Sequence, residues 1–325
     1  MQYLDLQVVE QTLLWLQQRQ TVWLSTVLFT YGSSPRAPGA LFAATASGEH
    51  VGSLSGGCVE DDFLARLRDG EFNSTVSTVR YGDNQQRDLR VSLPCGGILE
   101  VLVEKLTSEP VDIDHMQVFL AALKGHKPLL RAVELTTGKK QFSDDEEVTG
   151  PRISRNQNSI VIRVGPAARL IIAGMSPVSE ACAGFAVTLG FEVIICDPRE
   201  SIFGDFKLVG VTTQSLMPSK FIATPGNCHR ATAIVALTHD PRLDDLAMMD
   251  AVKTQAFYIG VMGSHRTSQN REQRLRKSGG LTKQQIARIQ MPIGLALGSK
   301  TPAEIALAVM ADVVRTLRGK QRSEL

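Results

Sequence analysis

The chain lacks any large excess of charge of one sign. Its 35 Lys and Arg face 33 Asp and Glu, a formal net charge of +2, too little for bulk electrostatics to hold a phosphate backbone. Nucleic acid is therefore not an expected partner, and any anion must be held by local groups. Long apolar runs are also missing. None approaches the roughly 18 residues of a membrane span, and the opening MQYLDLQVVE carries acidic residues instead of the basic-then-apolar pattern of a secretory signal. No membrane partner is expected, and the cytoplasm is the expected compartment. Cysteine is scarce and odd in number: the five, Cys58, Cys95, Cys182, Cys196 and Cys228, show neither C-x-x-C nor zinc-ribbon spacing, so reduced thiols are expected. What remains is an ordinary globular composition, 43% apolar and 21% charged over 325 residues, for which two domains are the natural expectation.

The patterning divides accordingly. Leu6, Val9, Leu13 and Leu16 recur at helical spacing, and a β-branched run over 21–30 predicts a strand. Further strands are predicted over 40–45, 51–54, 74–81, 98–103, 128–135 and 159–164, with helices over 59–68 and 115–124. Residues 137–158 turn polar and read as a solvated loop. From Ala168 short apolar runs and amphipathic helices alternate: strands over 170–173, 191–196, 231–237, 257–262 and 292–297, and helices over 178–189, 243–253, 266–277 and 302–318. Thr301, Pro302 and Glu304 supply N-cap, N1 and N3 of the last helix. The fold class is α/β, an N-terminal mixed α+β domain (1–165) followed by a Rossmann-like parallel-sheet domain (166–325).

Candidate chemistry clusters in loops. Gly174-Met175-Ser176-Pro177-Val178-Ser179 sits where a dinucleotide fold places its glycine-rich turn, and Asp197 ends the next strand where a ribose hydroxyl would bind. Ser176 replaces the second glycine and Pro177 removes a donor, so a purely structural turn competes with a nicotinamide site. Other strand ends finish in small polar residues. Gly263, Ser264 and Arg266 could bind a phosphate group through oriented N–H groups and a guanidinium, although Ser264 could simply cap a helix. His239 could be a general base or a structural residue, and Asp240 a cap. In the first half, Gly32-Ser33-Ser34-Pro35-Arg36, Ser55-Gly56-Gly57-Cys58-Val59-Glu60 and Pro94-Cys95-Gly96-Gly97 are three turns by composition. Two of them, however, pair a cysteine with two glycines. Cys58 at a helix start would have its thiolate favoured by the helix dipole and could act as a soft ligand, or it could be buried and inert. Cys182 and Cys196 read as core residues.

GSSPRAPGALF, GSLSGGCVE, PCGGILEVLVE, THDPRLDD, YIGVMGSHRT and PIGLALGSKTPAEIALA, in that order across nearly the whole chain, resemble the XdhC/CoxI family of xanthine dehydrogenase accessory factors. The resemblance implies a chaperone, not an enzyme. Such a protein binds the molybdenum cofactor, as molybdopterin or molybdopterin cytosine dinucleotide, protects it, and inserts it into an apo molybdenum hydroxylase of the xanthine/aldehyde dehydrogenase type. It implies a homodimer, and a cysteine desulfurase and a cytidylyltransferase as further partners. Carried over by motif, Cys95 and Cys58 are the candidate thiols, close to molybdenum without a dedicated metal site. Gly96, Gly97, Gly56, Gly57, Ser34 and Arg36 surround them. Gly174, Ser176, Asp197, Gly263, Ser264 and Arg266 are the candidate contacts in the second domain. Relatives show a GAGHVA-like turn where this chain has Gly174–Ser179, which weakens the alternative, an NAD(P)-dependent oxidoreductase. A non-catalytic scaffold whose dinucleotide domain has decayed is a third reading.

Overall fold

Leu6, Val9 and Leu16 form the buried stripe of α1 (Tyr3–Gln17). The structure, a computed structural model, describes every residue except 33–35, 83–96, 147–149, 205 and 325, and the chain divides into two units, Met1–Ala167 and Ala168–Leu325.

In the first unit α1 leads into β1 (Val22–Tyr31), β2 (Leu41–Thr45), β3 (His50–Gly52), α2 (Cys58–Arg68), β4 (Val76–Tyr81) and β5 (Ile98–Leu106). The strands pair antiparallel in the order β3-β2-β1-β5-β4. The central strand β1 is buried on both faces from Val22 to Leu28, which is why its sequence is a continuous apolar and β-branched run. Along β5 the faces alternate: Val101 and Val103 pack with Phe42 and Phe63 in the core that includes α2, while Leu102 and Leu106 pack with Leu16 and Phe119 in the other core. The unit continues with α3 (Pro110–Leu123), β6 (Leu129–Glu134), β7 (Lys140–Asp144), β8 (Ile153–Arg155) and β9 (Ser159–Val164), the second sheet running β7-β6-β9-β8.

The segment read as a solvated loop over 137–158 therefore contains two edge strands. Their side chains are mostly polar, but ladder pairing is a backbone property, and the pattern hid it. Phe142 stacks on His115 at 4.3 Å, and the acidic run is not all solvated, since Asp145 is buried and accepts from Arg163. Between the sheets Arg131 and Glu104, both fully buried, form a bidentate pair of 2.7 and 2.8 Å. Arg131 also donates to His115 Nε2 at 2.8 Å.

The second unit comprises β10 (Arg169–Ala173), α4 (Pro177–Thr188), β11 (Glu192–Cys196), β12 (Val211–Gln214), α5 (Pro218–Ala223), β13 (Thr232–Ala236), α6 (Pro241–Ala251), β14 (Tyr258–Val261), α7 (His265–Lys277), α8 (Lys283–Ala287), β15 (Ile289–Gln290) and α9 (Pro302–Leu317). All neighbours are parallel, in the order β12-β11-β10-β13-β14-β15. This is the doubly wound order whose direction reverses between β10 and β13. Leu170 and Ile172 face α4 and α9, and Ile171 and Ala173 face the core that includes α6 and α8. The sixth strand lies at Ile289–Gln290, before the stretch 292–297 predicted from sequence. That stretch is a loop containing Gly294 at φ +84°. Pro292 has no N–H for a ladder and the glycine turns the chain away, so an apolar composition was read as a strand it does not form. The short polar strand β12 gave no sequence signal.

Candidate functional site

The antiparallel register of the first sheet collects its chemistry at one end. There β1 ends at Tyr31 opposite Ile98, the first residue of β5, while β4 ends at Tyr81 opposite Leu99. At the same end β2 begins at Leu41, and β3 ends at Gly52 opposite Phe42. The described residues Gly32, 36–40, 53–57, Gly82 and Gly97 thus flank the sheet at this end. The first and last approach closely: Gly32 has φ +83°, and a Cβ placed on it would lie 3.2 Å from Gly97 Cα. Gly97 is where the described chain resumes before β5; Ser34, Cys95 and Gly96 lie outside the described residues.

The middle loop folds around one of its own side chains. Glu60, in the first turn of α2, receives the backbone N–H groups of Leu54, Ser55 and Gly56 on Oε1 at 2.7, 3.0 and 2.9 Å, with that of Gly57 on Oε2 at 2.9 Å. Ser53 Oγ donates a further bond of 2.8 Å to Oε1. Burial alone would raise this carboxyl, but the donors of Gly56, Gly57, Ser55 and Ser53 outweigh it and hold the pKa down at about 2. Gly56 reaches the required turn at φ +91°. The amides of Gly56 and Gly57, anticipated as a cradle for a cofactor, are therefore occupied by an internal anion. Cys58 follows as the first residue of α2 with its side chain exposed.

Arg36 is drawn inward. It is buried, donates to Asp5 Oδ1 at 2.8 Å and to Gln2 Oε1, and Asp5 in turn accepts from Leu41 N at 3.0 Å. Asp5 thereby ties the start of α1 both to β2, through Leu41, and to the segment before it, through Arg36.

In the second unit the carboxyl edge of the sheet is divided into a sealed half and an open half. Gly174 has φ +81°, and a Cβ there would sit 2.0 Å from Thr238 Cγ2. Ser176 caps α4 by accepting from Ser179 N at 3.1 Å and donates to Leu237 O at 2.8 Å, lacing the turn after β10 to the end of β13 across the point where the strand order reverses. Asp197 is fully buried; Met175 N donates to it at 2.8 Å, and Arg199 contributes its backbone N–H at 2.9 Å and guanidinium bonds of 2.9 and 2.7 Å. Burial opposes the charge of Asp197, but the Arg199 bonds and the Met175 amide keep its carboxyl below the usual range. A ribose hydroxyl at Asp197 would have to compete with Arg199.

The open half lies over β13, β14 and β15. A cavity of about 570 Å³ is bordered by His239, Gly263, Ser264, His265 and the loop from Pro292 to Ser299. Ser264 caps α7 by accepting from Thr267 N at 3.2 Å. Arg266 is exposed on the first turn of the same helix but is not part of the cavity wall. His239 is exposed in the left-handed region at φ +65°, and Asp240 caps α6 by accepting from Arg242 N at 2.9 Å. Beneath them buried Asp244 accepts from Thr238 Oγ1 at 2.7 Å and from Arg271 Nη2 at 3.2 Å, while Arg271 also donates to Met262 O at 2.9 Å. That network fixes the ends of β13 and β14.

Two family models match this chain. One, described as the XdhC and CoxI family, covers residues 15–82, and the other, described as the XdhC Rossmann domain, covers 170–313. The chain belongs to the XdhC and CoxI family. It is 26% identical to a probable xanthine dehydrogenase subunit from Bacillus subtilis (strain 168), over 93% of this chain and 94% of that protein. It is also 26% identical to the molybdenum cofactor insertion chaperone PaoD of Escherichia coli (strain K12), over 89% of this chain and 81% of PaoD. A crystal structure described as that of a xanthine dehydrogenase from Bacillus halodurans matches with a TM-score of 0.70 at 23% identity, covering 99% of this chain and 98% of that one, a likeness of fold.

As a member of this family the chain carries the expected motifs, yet several of their residues serve other ends than anticipated. The amides of Gly56 and Gly57 and the guanidinium of Arg36 are taken by internal acids, whereas Cys182 and Cys196 are the core residues that the sequence suggested, their thiols pushed up to about 12 by burial. The roles of Glu60 and Arg199 were not singled out from sequence, and 292–297, read as a strand, is instead loop bordering the cavity. The first had a signal: Gly57-x-x-Glu60 at a helix start is the spacing of a capping box, in which the acid reaches back to the N-cap amide.

Proposed function

We propose that this chain is a molybdenum cofactor insertion chaperone that carries the cofactor, as molybdopterin or its cytosine dinucleotide form, to an apo molybdenum hydroxylase of the xanthine/aldehyde dehydrogenase type. The observation that carries this reading is similarity along nearly the whole chain to PaoD, joined with the placement of Gly32, Gly97 and the 53–57 loop at one end of the first sheet. The cargo is a soft, dithiolene-bound metal on a phosphorylated pterin, and an exposed thiol suits transient contact with it. Cys58 offers that thiol, rigidly placed by the Glu60 loop, while the loop amides are already satisfied and leave no closed cage around the cargo. Gly97 lies beside Gly32 at the same end of the sheet; Cys95, Gly96 and Ser34, outside the described residues, join the proposal through the family motifs alone. In this reading the protein is not itself an enzyme, acts in the cytoplasm as a homodimer, and meets a cysteine desulfurase and a cytidylyltransferase along with its client. The nicotinamide-dependent alternative is disfavoured by the commitments of Ser176 and Asp197.

The test is to purify the chain from molybdenum-replete cells and oxidise the bound pterin to its fluorescent derivatives. About one pterin per chain is expected, reduced in Cys58→Ala and Cys95→Ala; unchanged loading in both variants removes the thiols from the mechanism.

A further inference from the structure

Helix α9 is apolar on more of its circumference than the core uses. Ala306, Val309, Met310 and Val313 bury one side of it with α4 and the sheet. A second apolar run stays outside: Leu307 is 51% exposed, and Ala311 and Val314 are half-buried. It continues on α4, where Phe185 and the C-cap residue Leu189 are exposed one turn apart. Together they line a groove of about 540 Å³. Small-molecule sites set several polar groups around an apolar slot, but here Thr188 already donates to Gly184 O and the bases stand at the C-terminal end of α9. An exposed apolar strip of this kind marks a contact with protein.

The outer stripe of α9 is symmetric in position and opposite in charge at its two ends. Glu304, Leu307, Ala311, Val314 and Arg318 follow at intervals of three and four residues, the spacing of a seam that packs on another helix. Ala311 is its centre, seven residues from the acid and seven from the base. An antiparallel copy turned about a twofold axis at Ala311 sets each Glu304 against the second copy's Arg318, and each Leu307 against the second copy's Val314. The small residue at the crossing lets the helices approach, and opposed macrodipoles favour that direction. A parallel pairing would set like charge on like. Both ends are accessible: Glu304 is exposed and its capping bonds from Lys300 N and Thr301 N both fall on Oε2, while Arg318 is exposed at the C-cap. Arg315 is already held by Asp312 at 2.8 Å.

We propose that the α4–α9 face is a self-association surface on which a second copy of this chain docks, its α9 antiparallel to the first about an axis at Ala311. The proposal rests on the homodimer of the functional reading and assigns it a face and a register. Sedimentation velocity of the full chain from about 1 to 100 μM reads the association. The wild type is expected to be a dimer at the upper concentrations. Leu307→Glu changes an exposed position to a residue of similar helix propensity and should weaken the dimer roughly hundredfold, with an unchanged circular dichroism spectrum. Glu304→Lys and Arg318→Glu each bring like charges together at both contacts of the pair and should each weaken it roughly tenfold or more. Mixed together, these two variants oppose unlike charges at both contacts and should associate about as well as the wild type, a rescue that a lost helix cap or misfolding cannot produce. A wild type that is monomeric at about 100 μM removes both the homodimer and this surface. A dimer that none of the three substitutions weakens overturns the surface and leaves the homodimer standing, and weakening without rescue on mixing overturns the antiparallel register. Pterin loading of the purified chain tests the chaperone reading independently of all these outcomes.

Discussion

Replacing Glu60 with glutamine removes the charge around which the loop 53–57 is built while keeping nearly the same shape. The carboxyl is held at about 2 against an ordinary value of 4.5, a difference that corresponds to roughly 3 kcal/mol between the ionised and neutral forms. The loop is partly open to solvent, so screening reduces this to about 2 kcal/mol of lost stability at pH 7. The sign with pH follows from the depressed folded value. The contribution is complete above about pH 4.5 and is lost as the pH falls towards 2, so the wild-type protein should forfeit roughly 1 kcal/mol of this advantage by pH 3.5. Urea unfolding of both proteins at pH 7, 5 and 3.5, followed by a probe in the first unit, reads the gap directly. A constant gap between pH 7 and 5 that narrows at 3.5 is expected. Equal stability at pH 7, or a gap that widens in acid, would refute the argument that ionised Glu60 organises this loop.

Three further outcomes follow from other contacts. Glu104→Gln leaves Arg131 buried without its anion and should cost about 3–5 kcal/mol in urea unfolding, whereas paired replacement of Arg131 and Glu104 by apolar residues should cost much less. Gly174→Ala forces a side chain at φ +81° onto Thr238 and should destabilise the second unit by more than about 2 kcal/mol, seen as a lowered thermal midpoint. Native-state alkylation with peptide mapping should label Cys58 far faster than Cys182 and Cys196, which become reactive only on unfolding; comparable rates would contradict their opposite burial.

The alternation of strands and helices from Ala168 onward made the parallel sheet legible, because each buried strand is a short apolar run and each helix a stripe. The antiparallel half was legible where strands are buried in apolar cores, as in β1 and β5, and illegible where pairing needs no apolar side chains, as in β7 and β8. The candidate sites divide in the same way. Composition flagged the loops that sit at sheet ends, but it could not show which polar groups consume one another. Asp197 is taken by a residue two positions away, Ser176 by a carbonyl 61 residues on, and Arg36 by an acid in the first helix. The glycine amides of 56 and 57 serve a glutamate only three or four residues downstream, and that partnership could have been anticipated from spacing.

Cofactor transfer tests the central claim most directly. The purified chain, loaded with molybdenum cofactor, is mixed with an apo molybdenum hydroxylase, and hydroxylase activity is followed against free cofactor at the same concentration. Insertion by this protein predicts faster and more complete activation than free cofactor gives, with a slower rate for Cys58→Ala; activation no better than that by free cofactor would contradict it.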